Sequence, residues 1–187
     1  MQTPGIFIIT GPVQGGKTTF LAELCKVLEV RGLKIGGFLC PGGFDAGERS
    51  GFSLKNIGTG AEVAMASVME TKYWMKYRRF WFNPDAFKQG RKWMQACLRQ
   101  EPDMLIIDEV GPMELEGAGW SDLLKDLAKA TNAIQLWNVR ENSLKEVMQR
   151  WNISPDHLIH IDKVEMKYAA ERIIGFVRNS RESKLNL

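Results

Sequence analysis

A short apolar run, Ile6-Phe7-Ile8-Ile9-Thr10, leads straight into Gly11-Pro12-Val13-Gln14-Gly15-Gly16-Lys17-Thr18. Beyond it Phe20, Leu21, Leu24, Val27 and Leu28 fall on one stripe at helical spacing. The first run has the pattern of a strand buried on both faces. The stripe predicts a helix from about Gly16 to Arg31, with Gly32 placed to end it. The turn between them matches G-x-x-x-x-G-K-[ST] at every position, and average residue usage gives a chance match on the order of one in a hundred. Glycines let such a turn curl so that successive N–H groups point inward at a phosphate, and the helix N-terminus adds partial positive charge. In that reading Lys17 reaches the β- and γ-phosphates, the Thr18 hydroxyl holds Mg²⁺, and the nucleotide-binding stretch runs from Gly11 through Thr19.

The rest of the chain alternates in the same way. Between Lys34 and Ser67 eight glycines punctuate short β-like runs, which reads as hairpins or a meander. Arg78 to Phe82 is another such run. Asn83-Pro84-Asp85 then supplies an N-cap, a first-position proline and an acid at the positive end of a helix reaching about Gln100. Met104 to Ile107 reads as a second fully buried strand. Further elements are a helix near Trp120 to Thr131, a strand near Ala133 to Val139 and a helix from Ser143 to Trp151. A strand from Leu158 to Ile161 and a helix from Val164 to Arg178 complete the pattern, and the polar tail, about 179–187, is expected to fray. No linker or repeat interrupts the 187 residues. The expectation is one α/β domain of three layers over residues 1–187, with a mostly parallel central sheet and a β-rich insertion at about 34–82.

A phosphate loop needs an acid across the metal. Asp108 ends the Met104 to Ile107 strand, at the edge where open α/β sheets place their ligands. It would hold Mg²⁺ together with Thr18, and Glu109 would orient or deprotonate an attacking water. Glu109 also fits a solvated carboxylate or a salt-bridge partner. Arg140, at the end of the Ala133 to Val139 strand, would sit near the γ-phosphate and stabilise developing charge; a surface pairing with Glu141 or Glu146 accounts for it equally. Asn138 is a lesser candidate sensor. Arg49 and the Arg78-Arg79 pair are candidates for a lid or finger.

With these residues in view, the chain resembles the THEP-type nucleoside-triphosphatases, whose second motif reads D-E-[IV]-G-x-M-E-L. Gly11 to Thr19 and Asp108-Glu109-Val110-Gly111-Pro112-Met113-Glu114-Leu115 carry the likeness. Gly37-Phe38, Glu48-Arg49-Ser50-Gly51-Phe52 and Phe80-Trp81-Phe82-Asn83-Pro84-Asp85-Ala86-Phe87 agree in order, so it spans about residues 5 to 165. The resemblance implies a RecA-like P-loop fold of the additional-strand division. It also implies slow, Mg²⁺-dependent hydrolysis of ATP, GTP and other nucleoside triphosphates with little base selectivity. Two positions depart from the family pattern: Arg78 stands where glycine is common and Arg140 where histidine is frequent.

Composition narrows the partners. Lys plus Arg is 25 against 22 Asp plus Glu, a net charge of +3, which gives no general mandate for nucleic acid or membranes. Residues 73–82 interleave aromatic and basic side chains, a composition that stacks single-stranded bases but equally describes a strand with rings inside and cations outside. Cys25, Cys40 and Cys97 form no metal or disulfide spacing and read as reduced thiols. His157 and His160, three apart on the expected last strand, would face opposite ways and make no metal site. The opening residues lack a signal sequence or span, so the expected compartment is the cytoplasm. Two rival activities share these motifs: a kinase with an acceptor pocket in the insertion, and a nucleotide-loaded binding switch.

Overall fold

Every residue of β1 (Ile6–Thr10) is buried. Its side chains alternate, Ile6 and Ile8 toward one hydrophobic cluster and Phe7 and Ile9 toward another, as the two-residue strand period requires. The computed structural model describes residues 5–130 and 133–185. After β1 come α1 (Lys17–Val30), β2 (Ile35–Leu39), β3 (Gly42–Asp45), β4 (Glu48–Asn56) and β5 (Glu62–Ser67). A tight hairpin of β6 (Met75–Tyr77) and β7 (Phe80–Phe82) precedes α2 (Pro84–Leu98) and β8 (Met104–Val110). The chain continues through α3 (Pro112–Leu115), α4 (Ser121–Ala130), β9 (Ile134–Val139), α5 (Leu144–Trp151), β10 (Leu158–His160) and α6 (Met166–Leu185).

One sheet runs β10-β1-β9-β8-β2-β4-β5-β7-β6, with β3 paired to β4. Its first five strands are parallel neighbours and the rest pair antiparallel. The expected insertion therefore prolongs the sheet instead of forming a separate lobe. Strand β9 lies between β1 and β8, the extra strand that the additional-strand division implies. Helices cover both faces. Leu21, Leu24 and Leu28 of α1 and Ala169, Ile173 and Val177 of α6 pack on Phe7, Ile9, Ile106 and Leu136. On the other face Met94 of α2, Leu124 and Leu127 of α4 and Val147 of α5 cover Ile8, Leu105, Ile107 and Trp137. Trp120 anchors that side against Phe38 and Phe87, with ring centroids 4.4 and 4.9 Å away; each such pair contributes about 0.5–1.5 kcal/mol beyond burial.

Local chemistry explains most element boundaries. Asn83 caps α2 by accepting from the Asp85 N–H at 3.0 Å, with Pro84 in the first turn. The final helix departs from expectation, since α6 continues to Leu185 where a frayed tail was anticipated. Arg181 explains part of this, because its guanidinium pairs with Asp103 at the start of β8. His157 also departs: it sits in the turn before β10, stacked on Phe7 at 4.5 Å, with only His160 on the strand. Among the described residues no helix is long and apolar enough to cross a membrane.

Gly37 fixes how closely β2 approaches β8. Its φ is +110°, and a Cβ there would lie 2.1 Å from the Ile106 carbonyl oxygen. Backbone on the neighbouring strand cannot swing aside as a side chain would. We expect Gly37→Ala to cost at least about 2 kcal/mol, lowering the melting temperature by roughly 4–8 °C. Gly58→Ala, where a Cβ meets only the Asn56 side chain at 3.6 Å, should change it little. Thermal unfolding of the two variants checks the contrast.

Candidate active site

The turn between β1 and α1 is closed by a bond from the Gly15 N–H to the Pro12 carbonyl at 3.0 Å. Gln14 and Gly16 take positive φ, 58° and 81°, which curls the backbone around its own centre. Lys17 opens α1 and folds inward. Its ammonium donates to the Gly11 carbonyl at 3.1 Å and the Pro12 carbonyl at 2.7 Å, and the side chain is buried. Burial lowers its pKa, opposed by the charges of Glu109 and Asp108. Residues Val13 to Thr19 line a cleft of about 780 Å³ whose other walls include Arg49, Glu109, Asn138 and Arg140. The first N–H groups of α1 have no partner four residues back and face this end of the helix.

Asp108 is fully buried on β8, 0% exposed. Its carboxylate accepts the Cys40 N–H at 2.9 Å, the Asn138 side-chain amide, and the Thr18 hydroxyl. These donors come from beside β2, from β9 and from α1. Register explains the convergence: Asn138 pairs with Ile9 on one side and with Asp108 on the other. All three donors are neutral, so burial dominates and pushes the Asp108 pKa up to about 6, with Glu109 adding repulsion. Asn138 keeps a buried Oδ1 with no hydrogen-bond partner among the described residues. A dry carboxylate, a threonine hydroxyl and an orphaned amide oxygen, all hard oxygen donors, suit a hydrated Mg²⁺.

Glu109 points to the same cleft and is held by Arg140, whose Nη2 donates to Oε2 at 2.7 Å. The surface pairing of Arg140 with Glu141 or Glu146 does not occur; Glu109 is its partner. Arg49, on β4, stacks over Phe44 and Phe52 at 5.3 and 4.9 Å and leaves a buried Nε without a partner among the described residues. Arg79 donates to the Arg49 carbonyl at 3.4 Å. Arg78 stands at the β6–β7 turn with φ 53°, the first turn position where such hairpins favour glycine; that conformation accounts for the family preference. Its guanidinium lies 3.9 Å from Glu116, which also accepts the Tyr77 hydroxyl at 3.0 Å. Several of the cations in 73–82 lie over rings of their own hairpin, Lys76 on Trp81 and Arg79 on Phe80.

Two supporting residues escaped the sequence reading. Cys40 gives its N–H to the Asp108 carboxylate and its thiol to the Asp108 carbonyl; complete burial raises its thiol pKa well above the ordinary value. Glu114 is buried behind the site and accepts the Gly111 N–H at 2.8 Å and the Trp120 N–H at 3.0 Å. Burial pushes its pKa up to about 7 despite both bonds. The glutamate of the M-E-L segment thus pins the turn after β8. The Gly111 half of this clamp is local, since Glu114 stands third in a short helix opened by Gly111-Pro112, a capping-box spacing; the Trp120 half shows only in the folded chain.

A family model described as NTPase matches residues 6–174. The nucleoside-triphosphatase THEP1 of Caldivirga maquilingensis is 27% identical over 177 residues, 93% of this chain and 95% of the relative. The protein of the same name from Methanocaldococcus jannaschii is 32% identical over 123 residues, 65% and 71% of the two chains. Among solved structures, a human cancer-related nucleoside triphosphatase has a TM-score of 0.69 at 20% identity, covering 94% of this chain and 98% of its own. THEP1 from Aquifex aeolicus has a TM-score of 0.60 at 22% identity, covering 83% and 88%. Those two establish the shared fold. With nearly its whole length matched by the family model, this chain belongs to the THEP1-type NTPase family.

Proposed function

We propose that the chain hydrolyses nucleoside triphosphates to the diphosphate and phosphate, slowly and with little preference among bases. The observation that carries this reading is the meeting of Lys17, Thr18 and Glu109 around one cleft, with Asp108 buried directly behind it and bonded to Thr18. The loop from Gly11 to Thr19 offers its amides and Lys17 to the phosphates and nothing specific to a base. Thr18 and Asp108 would hold Mg²⁺, which supplies charge neutralisation at the phosphate oxygens. A water attacks the γ-phosphorus as the bond to the β,γ-bridging oxygen breaks, and Glu109 orients that water and takes its proton. Arg140 holds the Glu109 carboxylate in place and lends positive charge beside the departing phosphoryl group. Such an enzyme works where triphosphates and Mg²⁺ abound, which favours the cytoplasm.

Phosphate release tests the assignments. Lys17→Ala is expected to lose productive nucleotide binding. Glu109→Gln should keep nucleotide binding and lower turnover by about a hundredfold or more, the usual worth of a positioned base; undiminished turnover would remove Glu109 from the chemistry. A second expectation concerns pH. Asp108 is raised from 3.8 to about 6 and Glu114 from 4.5 to about 7, so between about pH 4 and 7 the folded chain binds more protons than the unfolded one. Stability of the nucleotide-free protein should therefore fall as pH rises through that window and level off above it. Urea midpoints at several pH values read the slope, and Glu114→Gln should flatten its upper part.

A further inference from the structure

Beside the phosphate cleft lies a second cavity of about 330 Å³. Its walls are mainly rings and sulfur: Phe52 and Met65 from the strands after β2, Phe80 and Phe82 from β7, Phe87 from α2, and Trp120. No residue of the 11–19 loop lines it, whereas Phe52, Arg79, Phe80, Glu109 and Arg140 line both this cavity and the cleft. Glu109 is thus the one carboxylate in a shared wall, with the phosphate loop on one side and the aromatic chamber on the other. The two spaces meet at Glu109, the residue that prepares the attacking group in the hydrolysis proposed above.

The free polar chemistry of the cavity is concentrated near that wall. The Cys40 thiol is committed to the Asp108 carbonyl, and both Glu114 oxygens are committed to backbone N–H groups. Arg140 occupies only Oε2 of Glu109, so Oε1 can accept a proton. A hydrolytic water needs only about 10–15 Å³ of such space, a small fraction of what is present. Chambers of a few hundred cubic ångströms, apolar with few convergent polar groups, are the usual form of a small-molecule site. Rings favour a flat aromatic occupant through offset and edge contacts, and Glu109 asks that occupant for one hydroxyl.

We propose that the cavity is a second-substrate pocket for a small aromatic alcohol, and that the chain passes the γ-phosphoryl group to its hydroxyl as well as to water. The proposal rests on the assignment of Glu109 made for hydrolysis. The acceptor oxygen attacks the γ-phosphorus and forms a new O–P bond. The bond from that phosphorus to the β,γ-bridging oxygen breaks, and the electron pair leaves with the nucleoside diphosphate. The acceptor proton goes to Glu109 and then to solvent, so ATP and the alcohol yield ADP, an aryl phosphate ester and one proton.

The probe is 2-naphthol, whose fluorescence reports binding and whose phosphate ester separates readily by chromatography. ADP, free phosphate and 2-naphthyl phosphate are measured in parallel with Mg²⁺ and ATP. ADP is expected to exceed free phosphate by the amount of ester formed, and naphthalene, which lacks the hydroxyl, should suppress the ester. Met65→Trp, which fills the chamber away from the cleft, should weaken naphthol binding about tenfold or more while phosphate release persists; Met65→Phe serves if the larger ring prevents folding. Ester formation supports the pocket whether or not free phosphate is also released. Free phosphate without ester at saturating 2-naphthol, or no saturable binding, overturns the pocket and leaves hydrolysis standing.

Discussion

A single carboxylate organises this molecule. Asp108 is out of water, has no ion-pair partner among the described residues, and is held by hydrogen bonds from a helix N-terminus, a neighbouring strand and the turn beyond β2. Removing such a group from solvent is costly, and each neutral donor offsets only part of that cost. The arrangement holds only if α1, β8, β9 and the Cys40 turn keep fixed positions. The requirement explains why the strands carrying it are buried on both faces and why Gly37 must bring β2 so near to β8. Fold and chemistry meet in this residue: the packing keeps a carboxylate dry, and the dry carboxylate is what a divalent cation would find.

The second half of the sheet has a different task. The antiparallel strands after β2 add little to the phosphate loop itself but supply Arg49, Phe52 and the β6–β7 hairpin, which stand over Glu109. The turn after β8, pinned by Glu114, closes the opposite wall. Glu109 is therefore enclosed by two segments far apart in sequence. That enclosure makes a water-sized task occupy a site much larger than a water.

The parallel half was legible because its signals are local. A buried strand, a glycine turn, Lys17 and a helical stripe occupy consecutive residues, and Asp108-Glu109 ends an apolar run. Asn83 and Pro84 announce α2 in the same way. What escaped depends on distance in space. Cys40 looked like an inert thiol, Glu114 like one letter of a motif, and Arg140 like a partner for Glu141 or Glu146; only the folded chain selects Glu109. The helical reach of α6 was missed because polar residues say nothing about a distant Asp103. Arg78 shows the reverse case, where a departure from pattern became intelligible as a φ of 53°.

The hairpin that walls the aromatic chamber is fastened to the turn after β8 through Glu116, by the Tyr77 hydroxyl at 3.0 Å and the Arg78 guanidinium at 3.9 Å. Both contacts lie at the surface, where such pairs are worth at most about 1 kcal/mol against a thermal energy of about 0.6 kcal/mol. The clasp therefore parts by ordinary fluctuation. A wall held by contacts of that size is fastened without being locked, so entry to the chamber does not require a strong interaction to break.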